Sequence, residues 1–193
     1  MKTRLLSVTM LAISQLLISA KEKAMNTESK MLIDFSKPLE GIQVGVTNDG
    51  VMGGLSQGKI KTSKEGTLLF DGTLSLENNG GFSSLRMRGK QWDLGGWKGV
   101  LVTVKGDGRT YGFRATTDQR YRWSAVSFTA DFKTTKGDWT TVKVPFSAMK
   151  ASWRGRKLDR EFDPAKVSGL GIILADKKQG AFKLEIKSIS VYK

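Results

Sequence analysis

Apolar residues in this chain recur at every second position or gather in short runs, and no stretch longer than a turn repeats at the ~3.6-residue spacing of a helix. Val100, Val102 and Val104 alternate with Leu101 and Thr103, and Thr140, Val142, Val144 and Phe146 alternate with Thr141, Lys143 and Pro145. Gly169–Leu174 is a continuous apolar run fit for a buried strand. Phe182, Leu184 and Ile186 alternate, but the phase breaks before Ile189 and Val191; one extra residue predicts a β-bulge near Lys187-Ser188. Further strands are read at Met31–Phe35, Gly41–Val46, Lys59–Thr62, Thr67–Leu76, Phe82–Met87, Thr110–Thr116 and Trp123–Ala130. The chain has 22 glycines and 3 prolines, which suits many tight turns. About ten short strands with almost no helix predict an all-β, antiparallel jelly-roll sandwich. An immunoglobulin-like arrangement fits less well, because the strand count is high and there is no cysteine for its Cys…Trp…Cys core.

Residues 31–193 read as a single domain of this kind. Ahead of it, Lys2 and Arg4 precede the charge-free segment Leu5–Ala20, which ends in small residues before Lys21. That order predicts a secretory signal peptide over residues 1–20, followed by a polar linker over 21–30. The segment is short for a bilayer span, which takes ~20 apolar residues, so none is expected once it is removed. Cleavage would make the protein periplasmic or exported. An uncleaved anchor, an organelle-targeting segment and a start at Met25 are the alternatives, the last two giving an organellar or cytoplasmic protein.

Composition narrows the chemistry. There is no cysteine and no histidine, so disulfides, thiolate nucleophiles, imidazole bases and the commonest transition-metal ligands are all missing. Net charge is +14. Removing residues 1–20 takes away Lys2 and Arg4 and no acid, so +14 becomes +12. A basic domain attracts acidic proteins, anionic lipid or nucleic acid without identifying which. For nucleic acid, only weak non-specific association is expected.

The chemistry-bearing residues fall into four groups. Glu77-Asn78-Asn79-Gly80-Gly81 lies between two strand-like runs within Phe70–Arg88 and has the residues of a β-hairpin turn, as does Gly106-Asp107-Gly108 further on. If the loop Asn48–Ser56, with its Gly53-Gly54 pair, lies at the same end of the sandwich, Asp49, Glu77, Asn78 and Asn79 would converge as oxygen donors. Such a set could hold Ca²⁺ or sugar hydroxyls; the plainer reading is two structural turns. Secondly, Arg86, Arg88 and Lys90, with Arg109, Arg114, Arg120 and Arg122, are interleaved with Tyr111, Tyr121 and Trp123. That mixture could stack bases and track phosphates, or be half-buried strands whose Arg stems cover the core. Thirdly, Trp153-Arg154-Gly155-Arg156-Lys157 opens the one long charged loop, Trp153–Pro164, and has the composition of a protein-interface anchor. Fourthly, Asp159, Glu161 and Asp163 are candidates for carboxylate catalysis, with poor specificity.

Several of these segments resemble the complex I intermediate-associated protein 30 family. The residues that carry the resemblance are Asn48–Ser56 (NDGVMGGLS), Phe70–Ser84 (FDGTLSLENNGGFSS), Trp153–Arg156 (WRGR) and Gly169–Asp176 (GLGIILAD), within a similarity spanning roughly Leu32–Tyr192. The resemblance implies a galactose-binding-like jelly roll. It also implies a non-catalytic role, as an assembly factor or chaperone of the respiratory NADH dehydrogenase in mitochondrial members. Some plastid relatives carry the domain beside others and act in RNA-linked photosystem biogenesis. It supplies no catalytic residue and no cofactor. The expected partner is therefore a protein client such as a respiratory-complex subunit. The alternative is a carbohydrate-binding module of the same fold in the cell envelope.

Overall fold

Two antiparallel sheets packed face to face carry these alternating runs, in a computed structural model that describes residues 28–193. In chain order the strands are β1 (Ser29–Asp34), β2 (Gln43–Asn48), β3 (Gln57–Thr62), β4 (Leu68–Leu74), β5 (Ser83–Arg88), β6 (Gly99–Lys105) and β7 (Thr110–Tyr121). They continue with β8 (Ser124–Lys133), β9 (Trp139–Pro145), β10 (Lys150–Trp153), β11 (Arg156–Lys157), β12 (Gly169–Leu174) and β13 (Gly180–Tyr192). The six-stranded sheet runs β3-β4-β13-β6-β9, with β1 pairing the second half of β13 beyond the end of β4. The seven-stranded sheet runs β11-β10-β8-β7-β12-β5-β2. The jelly-roll sandwich expected from the alternation is the fold observed. The segment read as a signal peptide lies outside the described residues; β1 begins at Ser29, two residues inside the stretch read as linker.

Period-2 patterning places the core between the sheets. Leu85 and Met87 of β5, Phe113 and Ala115 of β7, and Ile172 and Leu174 of β12 face Phe70, Val102, Leu184 and Ile186 of the other sheet, all essentially inaccessible. The break in phase along β13 is real: its register against β6 shifts between Ile186 and Ser188, so Ile189 and Val191 stay buried. Pro145 ends β9, an edge strand, where its missing N–H leaves no gap in the ladder.

Two turns differ from their sequence reading. Glu77–Gly81 does not close a hairpin, because β4 lies in the six-stranded sheet and β5 in the seven-stranded one. Gly106-Asp107-Gly108 likewise carries the chain across the sandwich, from β6 to β7. Asn78, Asn79 and Gly81 do have the positive φ that their residue types predict, but an arch between sheets needs positive φ as much as a hairpin does. The tight two-residue hairpins are elsewhere: Arg122-Trp123 joins β7 to β8, and Arg154-Gly155 joins β10 to β11. Trp153 is therefore the last residue of a strand rather than the start of a protruding loop, and Arg156 pairs with it on β11.

Candidate functional site

The Asn48–Ser56 and Glu77–Gly81 segments do meet, and a single carboxylate holds them. Asp49, 1% exposed, accepts from the Ser56 N–H at 2.9 Å and the Ser56 hydroxyl at 2.5 Å. It also accepts from the N–H groups of Gly81 at 2.6 Å and Phe82 at 3.2 Å. Burial pushes the Asp49 pKa up, but the Ser56 hydroxyl and the three N–H groups outweigh it and hold the carboxyl below its ordinary value. Two glycines allow the approach: a Cβ on Gly54 would lie 2.4 Å from Asp49 Cγ, and one on Gly80 would lie 2.6 Å from Asp49 Oδ2. Gly53, at φ 89°, ends the short 3-10 turn Asp49–Met52, and its carbonyl accepts from Asn78 Nδ2 at 3.2 Å.

The convergent oxygen set pictured from the sequence does not form. Asp49 is buried and consumed by its donors, while Glu77, Asn78 and Asn79 are exposed. Among the described residues no group of three or more carboxylates, histidines or cysteines is placed to hold a metal ion. Asn48, the first residue of that loop, is the second bracket of this corner. Its side chain bonds both backbone groups of Gly58 and accepts from the Ser83 hydroxyl at 2.6 Å. The rigid corner leaves Val51, Met52 and Leu55 more than half exposed, and Leu76 41% exposed.

At the opposite end of the seven-stranded sheet the two tight hairpins bring aromatic rings and guanidinium groups together. Trp153 is half-buried at the centre, its Nε1 donating to Ser124 Oγ at 2.7 Å. Tyr121 and Trp123 meet it edge to face, with ring centres 5.3 Å and 5.5 Å away. The guanidiniums of Arg122 and Arg154 each lie 5.4 Å from the Trp153 ring centre, and 5.7 Å and 5.6 Å from that of Trp123. Trp123 is 60% exposed, so a large rigid ring stands in solvent between two cations, braced from behind. The sequence marked Trp153, Arg154 and Arg156 as a client anchor. The geometry makes Trp123 the presented ring and Trp153 its support. A turn of Arg-Trp, with neither glycine nor asparagine, gave no signal of a hairpin there.

The remaining basic and aromatic residues separate. Arg86 and Arg114 point outward from the middle of the seven-stranded sheet, half-buried. Arg109 instead clasps two arches, with Nε 3.0 Å and Nη2 2.6 Å from the Asp176 carboxylate, and Nη1 on the carbonyls of Gly180 and Ala181. Tyr111 is fully buried and donates to Asp107 at 3.0 Å. Burial first, and Asp107 second, push its phenol pKa far up. It cannot stack a base, so the interleaved aromatic–basic face divides into core, clasp, tip and sheet centre.

The family described as complex I intermediate-associated protein 30 matches residues 33–186. A Caenorhabditis briggsae protein named probable complex I intermediate-associated protein 30, mitochondrial, is 29% identical over 179 residues, covering 82% of this chain and 52% of its own. The Mus musculus protein of that name is 30% identical over 167 residues, covering 76% of this chain and 51% of its own. The chain thus spans about half the length of these curated relatives. Among solved structures, a family 11 carbohydrate-binding module from Clostridium thermocellum, in complex with a β-1,3-1,4-mixed-linked tetrasaccharide, superposes with a TM-score of 0.62 at 18% identity, covering 84% of this chain and 94% of its own. The family 11 module of the cellulosomal cellulase Lic26A-Cel5E from the same organism gives 0.59 at 15% identity, covering 85% and 94%. At such identities the likeness is one of fold, the antiparallel β-sandwich expected from the sequence, and carries no ligand with it.

Proposed function

The chain belongs to the complex I intermediate-associated protein 30 family, and from that premise we propose that it is a non-catalytic assembly or chaperone module that grips a protein client through the Tyr121–Trp123 and Trp153–Arg154 tip. The observation that carries this reading is Trp123, 60% exposed yet held by Trp153 and flanked by Arg122 and Arg154. Interface hot spots are rich in Trp, Tyr and Arg, and a ring immobilised beforehand loses little entropy on binding. The relatives are named for association with intermediates of complex I, which makes a complex I subunit the client to test. The cations Arg122, Arg154 and Arg156 would steer an acidic client surface toward the tip.

Trp123→Ala tests the proposal without opening the core. The expected result is an unchanged melting temperature and a ~30-fold weaker client interaction, the equivalent of the ~2 kcal/mol typical of a truncated hot spot. The readout is recovery of partners crosslinked to the full chain in its own cells. Recovery of the same partners at wild-type yield would remove the tip from the account.

A further inference from the structure

We propose that Arg86 and Arg114, with Arg88 and Thr116, form a binding site for a phosphoryl group on the outer face of the seven-stranded sheet. The site lies away from the client tip and does not depend on that reading.

The placement follows from register. Arg86 pairs with Gly45 of β2 on one side and Gly171 of β12 on the other, and Gly171 pairs with Arg114 of β7. One row across four strands therefore reads Gly, Arg, Gly, Arg. Leu85, Met87, Phe113, Ala115 and Ile172 occupy the alternate positions and are buried, so this row faces away from the core. Adjacent strands lie ~4.8 Å apart, so the two arginine backbones stand ~10 Å apart, with no side chain between them. Two side chains of this length can meet above Gly171. Along β7 and β12 the next outward pair is Thr116 and Gly169, where a Cβ on Gly169 would lie 2.7 Å from Thr116 Oγ1. Arg86, Arg88, Arg114, Thr116 and Gly169 border a hollow of about 30 Å³ there, room for a group of a few atoms.

The electrostatics of this row are uncompensated. Among the described residues none of the ion pairs involves Arg86, Arg88 or Arg114. Asp131, outward on the neighbouring β8, pairs with none of them. Arg86 Nε is buried without a hydrogen-bond partner, and so is the hydroxyl of Ser84, two residues earlier on the same strand. Burial, and then repulsion by Arg86 and Arg88, push the Arg114 pKa down to about 10. The three guanidiniums thus feel one another with no counter-charge of their own. A buried charge left unpaired is costly, and an oxyanion placed among them removes both the repulsion and the orphaned donor. A carboxylate brings one negative charge and two oxygens, which suits one guanidinium fork. A phosphate brings nearly two charges and three oxygens, which suits several.

The test uses the full chain at constant ionic strength in chloride, with inorganic phosphate, glycerol phosphate or succinate added and the melting temperature and heat of binding recorded. Either phosphate at tenfold its Kd should raise the melting temperature by ~3–5 °C; the tighter of the two identifies an ester headgroup or the free ion as the ligand. Gly45→Glu sets a carboxylate beside Arg86 at a position where a Cβ meets nothing within 4 Å. It should raise the melting temperature without phosphate and weaken phosphate binding at least tenfold, whereas Gly45→Gln should leave binding intact. Arg114→Gln should also lose at least tenfold. A phosphate response no larger than that of added chloride, an equal response to succinate, or equal binding by the Glu and Gln variants would overturn the proposal.

Discussion

At Asp49 two uses of a carboxylate compete, exposure as a ligand or burial as a bracket, and four donors decide for the bracket. Asp49→Asn replaces the acceptor of Gly81 and Ser56 with a neutral amide that can satisfy only part of the set. Hydrogen bonds to a charged group are worth ~1.5–3 kcal/mol each, and several weaken together, so a loss of ~3 kcal/mol is expected in denaturant unfolding. The pH dependence has a definite sign. The folded pKa of Asp49 lies below its ordinary 3.8. Its contribution is therefore complete above about pH 5, falls as pH drops through the folded pKa, and is absent once both states are protonated. The gap between wild type and Asp49→Asn should accordingly shrink below about pH 4. Constant separation of the two unfolding curves from pH 7 down to pH 2 would show that Asp49 does not brace the corner through its charge. That Asn48–Ser56 and Glu77–Gly81 share a corner was anticipated in the sequence as a condition. That Asp49 turns inward was not, because composition does not reveal which side of a loop a carboxylate faces.

Elements were legible where burial sets the pattern and less so where turns do. The alternation along β13 and its bulge follow from period-2 patterning, the buried strand β12 from a continuous apolar run, and the end of edge strand β9 from its proline. The arches at Glu77–Gly81 and Gly106–Gly108 were read as hairpins because turn residues report backbone φ and not the partner strand. The Arg122-Trp123 hairpin was missed for the converse reason, as its φ of 52° sits on an arginine. The glycines of the Asp49 corner then make an element-scale prediction. Gly54→Ala and Gly80→Ala drive a methyl into the Asp49 side chain; each should cost ~2 kcal/mol. Gly50→Ala meets nothing within 4 Å and should be neutral or slightly stabilising, through a less flexible unfolded chain. Equal effects at all three positions, measured by thermal melts, would count against the packing argument.

Across the whole molecule the binding candidates named from the sequence fall at three places. Asp49, Gly53, Gly54 and Glu77–Asn79 form the corner, Arg86 lies mid-sheet, and Trp153, Arg154 and Arg156 form the far tip. The corner is occupied with its own bonding, the sheet centre carries uncompensated charge, and the tip presents a ring. The central claim is that the tip is where a client is held, and crosslinking from that point reads it most directly. A photoreactive amino acid replacing Arg156, exposed beside Trp153 at the tip and outside the ring that holds the client, should on illumination of the full chain in its own cells give one dominant adduct containing a complex I subunit. The same reagent at Val51, on the exposed corner, should give little. A dominant adduct from position 51 with none from position 156 would contradict the account.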